Sequence, residues 1–399
     1  MLRFLTAGES HGPALTAILE GMPAGLPLTE HEIDAQLARR QRGLGSGGRM
    51  RIEHDQVTLA GGVMAGRTTG APIALRIENR DWAHWCDRDV PPMTVPRPGH
   101  ADLTAATKYG YHELRLGLER ASARETAARV AVGAVCQRLL AEFGLAVGSY
   151  VVQIGPVVAS LPDDAPGGDA YQERFARAEE NDARCPDPAA AAAMAAAIKE
   201  ARSARDTLGG IFEVVALSAP PGLGSHVHWD RRLDARLMWA VGSIPAIKGV
   251  EVGPAFQNAT RRGTEVHDEI RAGTGSEEGR LVRPTNRAGG TEGGITTGLP
   301  LVVRAAMKPI ATTITPQNSV DLATGKPAET RYERSDICAV PRAAVVGEAM
   351  VAYVLADALI EKLGGDSLAE MRPRFEALWQ TPGARHLADV EMDNVPWCF

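Results

Sequence analysis

Residues 122–143 read SARETAARVAVGAVCQRLLAEF, a run with many good helix formers and few polar side chains. Ser122 and Glu125 have the spacing of a capping box, which indicates that a helix begins here. Apolar side chains then occur nearly all the way round the helix as far as Phe143. A helix without a polar face has to be buried on all sides. The sequence therefore predicts a central helix around which the rest of the domain packs.

A second helix of the same character is predicted at residues 343–363, at the corresponding place in a faint internal repeat. The sequence TTGAPIALR at residues 68–76 is echoed by TTGLPLVVR at residues 296–304. Shorter echoes precede each copy in the same order: MPAGL at 22–26 with APPGL at 219–223, and IDAQL at 33–37 with LDARL at 233–237. Ordered echoes indicate a duplicated unit, and coincidence among common residue types is the alternative.

The repeat places two pseudo-halves at about residues 1–143 and 208–365, with residues 144–207 inserted between them. Halves of this kind pair their sheets over shared apolar helices, which favours one domain over two independent ones. We therefore predict a single large α+β domain over the whole chain, in which β-sheets sandwich central buried helices. Residues 371–399 form a variable tail without a readable motif.

Local patterns predict the shorter elements. Thr29 and Glu32 have capping-box spacing at the start of an amphipathic helix. Alternating or apolar runs predict strands at residues 1–7, 57–59, 73–77, 146–158 and 209–217. An alanine-rich helix is predicted at 187–204, and the Pro-, Asp- and Gly-rich residues 160–185 predict an exposed loop.

Composition limits the class of protein. The chain has 399 residues and a formal net charge of −6, so its 43 basic residues do not make a general polyanion surface, which argues against nucleic-acid binding. Five cysteines without a CxxC pair argue against a structural metal site. We find no secretory signal and no uninterrupted run of the ~18 apolar residues that a membrane span needs. These features predict a cytoplasmic protein with reduced thiols.

Two histidines lie among small residues, where no bulky neighbour shields the imidazole. His11 lies in GESHG at residues 8–12, and His100 lies in RPGHAD at residues 97–102. Histidine changes charge near neutral pH, so the pair predicts proton transfer beside an anionic ligand, with Asp102 placed to orient His100. A purely structural histidine is the alternative at each position.

Two glycine motifs have competing interpretations. GESHG also has the GxSxG pattern of a serine hydrolase with Ser10 as nucleophile, although a hydrolase elbow follows several strands. Residues 43–48 match GxGxxG, but they follow an arginine-rich helix end, which argues against a dinucleotide-binding fold. We interpret this stretch as a flexible loop that presents Arg40, Arg42, Arg49 and Arg51 to phosphate or carboxylate groups. A solvated charged loop is the alternative.

Further segments have features that suit an anionic ligand. Residues 120–122 directly precede the central helix, and a helix N-terminus attracts anions. Residues 286–294 are glycine-rich, which suits close approach of the backbone to a ligand. Residues 308–312 supply a cation and a hydroxyl group after a strand. Asp336 follows an arginine, so it is either a tuned base or a surface ion pair.

Together these segments resemble the chorismate synthase family from residue 1 to about 367. The resemblance rests on residues 8–12, 97–102, 108–110, 120–129, 206–210, 246–253, 285–294, 308–312 and 334–338. Each is weak alone, and their shared order is specific. The resemblance implies conversion of 5-enolpyruvylshikimate 3-phosphate to chorismate by 1,4-elimination of phosphate, which requires reduced FMN and is the last common step of the shikimate pathway. The pseudo-symmetric sandwich of that family agrees with the repeat.

The resemblance also implies roles for individual residues. His11 would protonate the departing phosphate, His100 would lie near the flavin, and Asp336 would assist removal of the ring proton. The residues implied for substrate or NADP are Ser10, Arg40, Ser46 and Arg49. Those implied for FMN are Arg120, Ala121, Ser122, Pro245, Ala246, Gly293, Lys308, Pro309, Ile310, Ala311, Thr312 and Arg334.

Three positions depart from the family pattern. Ser46 stands where many relatives have arginine, Pro245 replaces a commonly polar residue, and Ala121 replaces a frequent serine. The resemblance further implies a homotetramer, with NADPH or a separate flavin reductase as the source of reducing equivalents. A non-catalytic protein that binds flavin or a phosphorylated metabolite is the hypothesis from a different class, and a serine hydrolase is the third.

Overall fold

The computed structural model describes residues 1–45, 54–162, 167–274, 281–333 and 335–380. The strands are β1 (Arg3–Ala7), β2 (Ala14–Glu20), β3 (Val57–Gly61), β4 (Val63–Met64), β5 (Arg67–Thr68), β6 (Ile73–Glu78), β7 (Ala146–Ile154), β8 (Val157–Val158), β9 (Gly210–Leu217), β10 (Ile247–Val252), β11 (Arg271–Ala272), β12 (Leu281–Val282), β13 (Thr291–Glu292), β14 (Ile295–Thr296), β15 (Leu301–Met307), β16 (Asn318–Asp321) and β17 (Lys326–Glu329). The helices are α1 (Glu30–Gln41), α2 (Asp102–Tyr109), α3 (Arg115–Ala121), α4 (Thr126–Ala141), α5 (Gly168–Glu179), α6 (Pro188–Ser203), α7 (Leu233–Gly242), α8 (Ala255–Asn258), α9 (Gly263–Val266), α10 (Val340–Leu363) and α11 (Leu368–Gln380). Short 3₁₀ turns lie at Arg80–His84, Ala123–Glu125 and Trp229–Arg231.

The first sheet has the strand order β1-β2-β6-β3, and each pair is antiparallel. In β2, Leu15, Ala17 and Leu19 are buried and the residues between them are more exposed. This period of two turns one face of the sheet toward the core, where α4 packs against β2 and β6.

The second sheet has the order β10-β15-β9-β7-β8 and is also antiparallel. β9 is buried along most of its length because both of its faces are covered. Phe212 and Val214 belong to the main core, against which α10 packs. Val215 and Leu217 belong to a second apolar cluster with Tyr150.

Helices α4 and α10 pack directly on each other at the centre of the main core. A Cβ atom built on Gly133 of α4 would lie 2.2 Å from the Cβ of Ala349 in α10. A Cβ atom on Gly347 of α10 would lie 2.8 Å from side-chain atoms of Phe212 and Val214. Hydrogen is therefore the only substituent that fits at these two contacts, and small residues set the spacing of the layers.

Most of the predicted elements are present. The capping box at the start of α1 is confirmed, with Thr29 N donating to Glu32 Oε2 at 2.7 Å. The central helix begins with a 3₁₀ turn, in which Ser122 Oγ accepts from Arg124 N, and the α-helix proper starts at Thr126. The mixed helix-and-strand class is confirmed, while the internal duplication and the sandwich arrangement stay predictions.

The prediction of an exposed loop over residues 160–185 is wrong in part. Its middle forms α5, and Tyr171 and Ala178 on one face of that helix are buried in the second apolar cluster. Tyr171 and Ala178 are seven residues apart, so they share one helical face. The Pro- and Gly-rich flanks dominated the compositional signal and hid this short amphipathic pattern.

Helix α10 is both long and apolar. By those two criteria alone it could cross a membrane, since an 18-residue window within it has a mean hydropathy of 1.8. The expectation that no segment of the chain approaches a membrane span in length and apolarity is therefore corrected. However, 89% of this window is buried inside the protein. Its apolar side chains pack against α4, β7 and β9.

Candidate active site

A cavity of about 1880 Å³ gathers residues that are far apart in the sequence. Its walls come from β1, the segment around residues 81–95, the start of α4, the end of α7 and the start of α10. The predicted site residues that line it are Ser10, His11, Arg40, His100, Arg120, Ala121, Ser122, Pro245, Ala246, Lys308, Ile310, Ala311, Thr312 and Asp336. Tertiary structure therefore brings most of the predicted site together.

His11 lies in the turn between β1 and β2 and is held by Glu119 of α3. Its Nδ1 is 2.8 Å from Glu119 Oε1, and its backbone N donates to Glu119 Oε2 at 2.7 Å. The ring of Trp85 lies against the imidazole, with ring centroids 4.3 Å apart. Burial acts to raise the pKa of Glu119, but the hydrogen bonds from His11 outweigh it and lower that pKa.

His100 is held by a buried ion pair, and the prediction that Asp102 orients it is confirmed. Its Nδ1 is 2.6 Å from Asp102 Oδ1. Arg97 donates to Asp102 through Nε at 2.8 Å and to Thr312 Oγ1 through Nη1 at 3.0 Å. Burial acts to raise the pKa of Asp102, but the hydrogen bonds from Arg97 and His100 lower it well below its usual range. Asp102 is therefore ionised at neutral pH.

Arg40 lies at the end of α1 with its guanidinium buried. It donates through Nε to Thr126 Oγ1 and through Nη2 to Ala123 O, both at 3.0 Å. Asp55 is 3.4 Å from Arg40 and 2.5 Å from Arg124, so one carboxylate is shared by two guanidiniums. Burial is the main cause that lowers the pKa of Arg40, to about 10, so the side chain remains a cation at neutral pH.

Asp336 lies just before α10 and forms an ion pair with Arg342, with 2.5 Å between Nη1 and Oδ2. Both residues line the cavity. The side chains of Arg342 and Asp336 are 12% and 20% exposed, so this ion pair is largely shielded from solvent. The choice between a tuned base and a pair with Arg334 stays open, because Arg334 lies outside the described residues.

The predicted flavin contacts form a second wall of the cavity. Arg120 Nη2 donates to Thr6 O at 3.1 Å and to Thr6 Oγ1 at 2.9 Å. Ala246 has a φ of +69°, a left-handed conformation that turns the chain sharply at this wall. Lys308 Nζ donates to Gly99 O at 2.5 Å, which links the Lys308 segment to the His100 motif.

Two of the predicted residues, Gly293 and Pro309, do not line the cavity. Gly293 lies in the turn between β13 and β14, outside the cavity lining, where the nearest atom to a Cβ built on it is His226 Cβ. Pro309 is exposed between lining residues. Ser46, Arg49 and Arg334 lie outside the described residues. The proposed roles of these five residues stay predictions.

The structure also bears on the two competing motif interpretations. The GxSxG segment runs from β1 through a turn into β2, and not from a strand into a helix as a nucleophile elbow does. Ser10 is buried, and its Oγ accepts from Ser122 Oγ at 3.0 Å. Gly43 and Gly45 follow the end of α1, so the GxGxxG match lacks the preceding strand of a dinucleotide site.

Three important residues were missed by sequence reasoning: Glu119, Trp85 and Arg342. Glu119 directly precedes the predicted contact Arg120, but no local pattern distinguishes it from a solvated helix residue. Trp85 follows a short 3₁₀ turn that carries no motif. Arg342 lies only six residues after Asp336, and spacing of this kind could have suggested the pair.

Buried guanidiniums and two imidazoles held by carboxylates suit an enzyme that expels an anionic group, which is the chemistry of carbon–oxygen lyases that release phosphate. The comparisons agree with this class. A family model described as chorismate synthase matches residues 2–360. The chain belongs to the chorismate synthase family.

Individual relatives are similar over nearly their whole length. The chorismate synthase of Aquifex aeolicus is 54% identical over 391 residues, which cover 94% of this chain and 96% of that protein. The chorismate synthase of Moorella thermoacetica is 54% identical over 390 residues, with 95% and 99% covered. A solved crystal structure of chorismate synthase has a TM-score of 0.79 at 46% identity and covers 96% of this chain and 98% of its own.

Proposed function

We propose that the cavity binds 5-enolpyruvylshikimate 3-phosphate beside reduced FMN and that the residues described above carry the 1,4-elimination of phosphate that yields chorismate. The observation that carries this proposal is the convergence of His11, His100 and Arg40 on one cavity from distant parts of the chain. In this elimination a C–O bond to phosphate and a ring C–H bond break, and a new ring double bond forms. Phosphate and a proton leave, so the reaction involves no net oxidation or reduction.

The cavity residues fit a flavin mononucleotide. Arg120 and Lys308 supply cations of the kind that bind phosphate, and Ser122 and Thr312 supply hydroxyl groups. A pocket for one drug-sized ligand measures roughly 300–1,000 Å³, so a cavity of about 1880 Å³ has room for a cofactor and a small substrate. Reduced FMN, when bound, supplies electron density to the substrate and recovers it, which is compatible with a reaction without net redox change.

His11 would act as the acid for the departing phosphate. A general acid needs a donor nitrogen that faces the leaving group, and Glu119 already occupies Nδ1. The remaining ring nitrogen, Nε2, is then the one that donates the proton. Arg40 would bind the negative charge that grows on the phosphate as the C–O bond breaks. A closed, partly desolvated site strengthens such charge interactions.

His100 and Asp336 would serve the other side of the reaction. Asp102 engages Nδ1 of His100, so Nε2 of that ring is the nitrogen available to a ligand. Asp336 would help to accept the ring proton, with Arg342 fixing the direction of its carboxylate. From the sequence we also predict that the loop after Gly43 closes over the substrate, and residues 46–53 of that loop lie outside the described residues.

We propose further features for this chain only because it belongs to the family. They are FMN as the particular flavin, NADPH or a separate flavin reductase as the source of electrons, a homotetramer and a cytoplasmic location. The single domain with pseudo-halves at residues 1–143 and 208–365 is proposed on the ordered echoes. The consequence of Ser46 for an anion or NADPH contact belongs to the same group of proposals.

The test is anaerobic turnover with photoreduced FMN. His11→Ala should lower the rate of phosphate release by about 10²–10⁴-fold, since that is the usual contribution of a general acid, and should leave FMN affinity largely intact. His31→Ala, at an exposed position on α1, is the matched control and should behave as wild type. Phosphate release without reduced flavin would contradict the proposal, and tight binding of flavin and substrate without release would favour the non-catalytic alternative.

A further inference from the structure

We propose that Glu119 is a positioning residue that keeps the His11 imidazole in one tautomer and stabilises its charged form, an inference that rests on the proposed role of His11 as the acid. Glu119 lies on α3, between the cavity-lining residues Leu118 and Arg120. It is half-buried, and it contacts the histidine and not the reacting atoms. Its effect on the reaction would therefore pass through His11.

The geometry of the contact requires a carboxylate. Glu119 Oε2 accepts from the backbone N of His11 at 2.7 Å, and Oε1 is 2.8 Å from the ring Nδ1. A carboxylate presents acceptors at both oxygens, whereas an amide presents one acceptor and one donor. A glutamine at this position would therefore either leave the backbone N–H facing an NH₂ group or force the proton from Nδ1 to Nε2. The second outcome removes the Nδ1–H that the neutral ring keeps after Nε2 has donated its proton.

Other groups around the ring restrict its motion and define its electrostatic field. Trp85 lies against the imidazole at 4.3 Å between ring centroids, and the guanidinium of Arg88 lies over the Trp85 ring at 5.2 Å from its centroid. Glu9 precedes the turn, and Arg115 of α3 acts on Glu119 through its charge. Among the described residues, Glu119 brings a negative charge to within 2.8 Å of the ring Nδ1, and a charge at hydrogen-bond distance stabilises an imidazolium.

The carboxylates that hold His100 and His11 differ in how their charges are compensated. Asp102 accepts from Arg97 through Nε at 2.8 Å and through Nη2 at 2.9 Å, so its charge is largely compensated by a guanidinium. The hydrogen bonds of Glu119 come from the backbone and the ring of His11 itself. The negative charge of Glu119 is therefore directed at the imidazole, as expected for a residue that positions this ring.

The experiment compares Glu119→Gln and Glu119→Asp with Glu113→Gln in the anaerobic assay over a range of pH. Glu113 is the matched control because its carboxylate accepts from backbone N atoms of Met93 and Arg115 without contact to a histidine. Glu119→Gln should move the alkaline fall in rate to lower pH by about one unit. At pH values well above the midpoint, the rate of this variant should then be about tenfold lower than that of wild type. Glu119→Asp should retain the wild-type midpoint, and Glu113→Gln should not move it.

A second readout needs neither cofactor nor turnover. In ¹⁵N-histidine NMR of the cofactor-free protein, the His11 signal, assigned by its loss in His11→Ala, should report the Nδ1–H tautomer at high pH. Glu119→Gln should convert it to the Nε2–H tautomer or to a mixture. An unchanged tautomer and an unchanged pH midpoint would overturn the inference, even if the variant were less stable.

The design separates this inference from the proposed function. If His11→Ala keeps full activity, the acid role of His11 fails whatever Glu119 does. If His11→Ala loses activity while Glu119→Gln keeps the wild-type profile, only the inference about Glu119 fails. Adding Glu119→Gln to His11→Ala should cause little further loss of rate, because a residue that acts through another is not additive with it.

Discussion

Arg40 illustrates how a single buried residue prepares the cavity for an anion. It is 7% exposed, and Asp55 is shared between it and Arg124. Arg342 and Asp336 add one further charge of each sign at this end of the cavity. Among the described residues, three guanidiniums thus face two carboxylates, and the surplus positive charge would be neutralised by the phosphate or carboxylate of a ligand.

Arg40→Lys tests this arrangement at the residue scale. Lysine keeps the charge but loses the planar fork that reaches Thr126 and Ala123 together. We expect the KM for the phosphorylated substrate to rise roughly 10–100-fold, in line with the loss of one or two charge-assisted hydrogen bonds. Steady-state kinetics with saturating reduced FMN would measure it.

Arg42→Lys is the matched control for that prediction. Arg42 is the next arginine after Arg40, and its side chain is half-exposed beside Glu179. Its substitution should change KM by less than a factor of about two, as is usual for exposed ion pairs. Equal changes in KM for both variants would show that the helix end as a whole, and not the buried fork, holds the substrate.

At the scale of elements, the contact between α4 and α10 determines where the cavity walls lie. The start of α4 carries Thr126, which binds Arg40, and the start of α10 carries Arg342, which binds Asp336. The distance between the two helices is set by Gly133 against Ala349. A change of spacing here would therefore separate the residues that converge on the ligand.

Gly133→Ala tests this helix contact. Its Cβ would overlap Ala349, so we expect a loss of about 1–3 kcal/mol in the free energy of unfolding despite the better helix propensity of alanine. Urea denaturation of the cofactor-free protein would measure it. Gly242→Ala in α7, where the nearest atom would lie 3.8 Å away, should be neutral or stabilising by up to about 1 kcal/mol. Adding Ala349→Gly should restore part of the loss in Gly133→Ala, and an absence of rescue would contradict the close-contact explanation.

At the scale of the whole molecule, a buried ion network ties the segment 144–207 to the core. Glu348 of α10 is 1% exposed and pairs with Arg39 of α1 at 2.6 Å and with Arg184 at 3.2 Å. Glu179 of α5 also pairs with Arg39 and Arg184. Burial acts to raise the pKa of Glu179, but hydrogen bonds and charges of the two arginines lower it to about 2.

Acid should therefore weaken this network. A carboxylate whose pKa is depressed in the folded state contributes stability above its unfolded value, here 4.5, and that contribution is lost as the pH falls toward 2. Glu179→Gln should be less stable than wild type at pH 7 and should show a smaller further loss between pH 4.5 and 2. Urea midpoints over this range would measure the difference.

Glu173→Gln is the control in the same helix. Its carboxylate is 63% exposed and pairs with Arg177 at the surface, so its removal should leave the acid dependence as it is in wild type. If Glu179→Gln lost as much stability between pH 4.5 and 2 as wild type does, protonation of Glu179 would not be the cause of the acid dependence.

Much of the fold could be predicted because its signals are local. Capping residues and apolar periodicity identified α1 and α4, and the internal repeat pointed to α10. The small residues around His11 and His100 identified two parts of the site. Helix α5 was missed because only Tyr171 and Ala178 mark its buried face, and burial of that face depends on the distant strands β7 and β9. Glu119 was missed because its importance comes from contact with a residue 108 positions away.

The amino-acid sequence alone determined the class of elements, the two central helices and the chemical types of residue in the site, since these follow from periodicity, capping and side-chain chemistry along a short stretch of chain. Tertiary structure alone decided that Glu119 serves the imidazole of His11, which guanidiniums share Asp55, and that Gly293 lies away from the cavity. The physical reason is that hydrogen bonds and ion pairs depend on distances of about 3 Å, and only packing brings such distances to residues far apart in sequence.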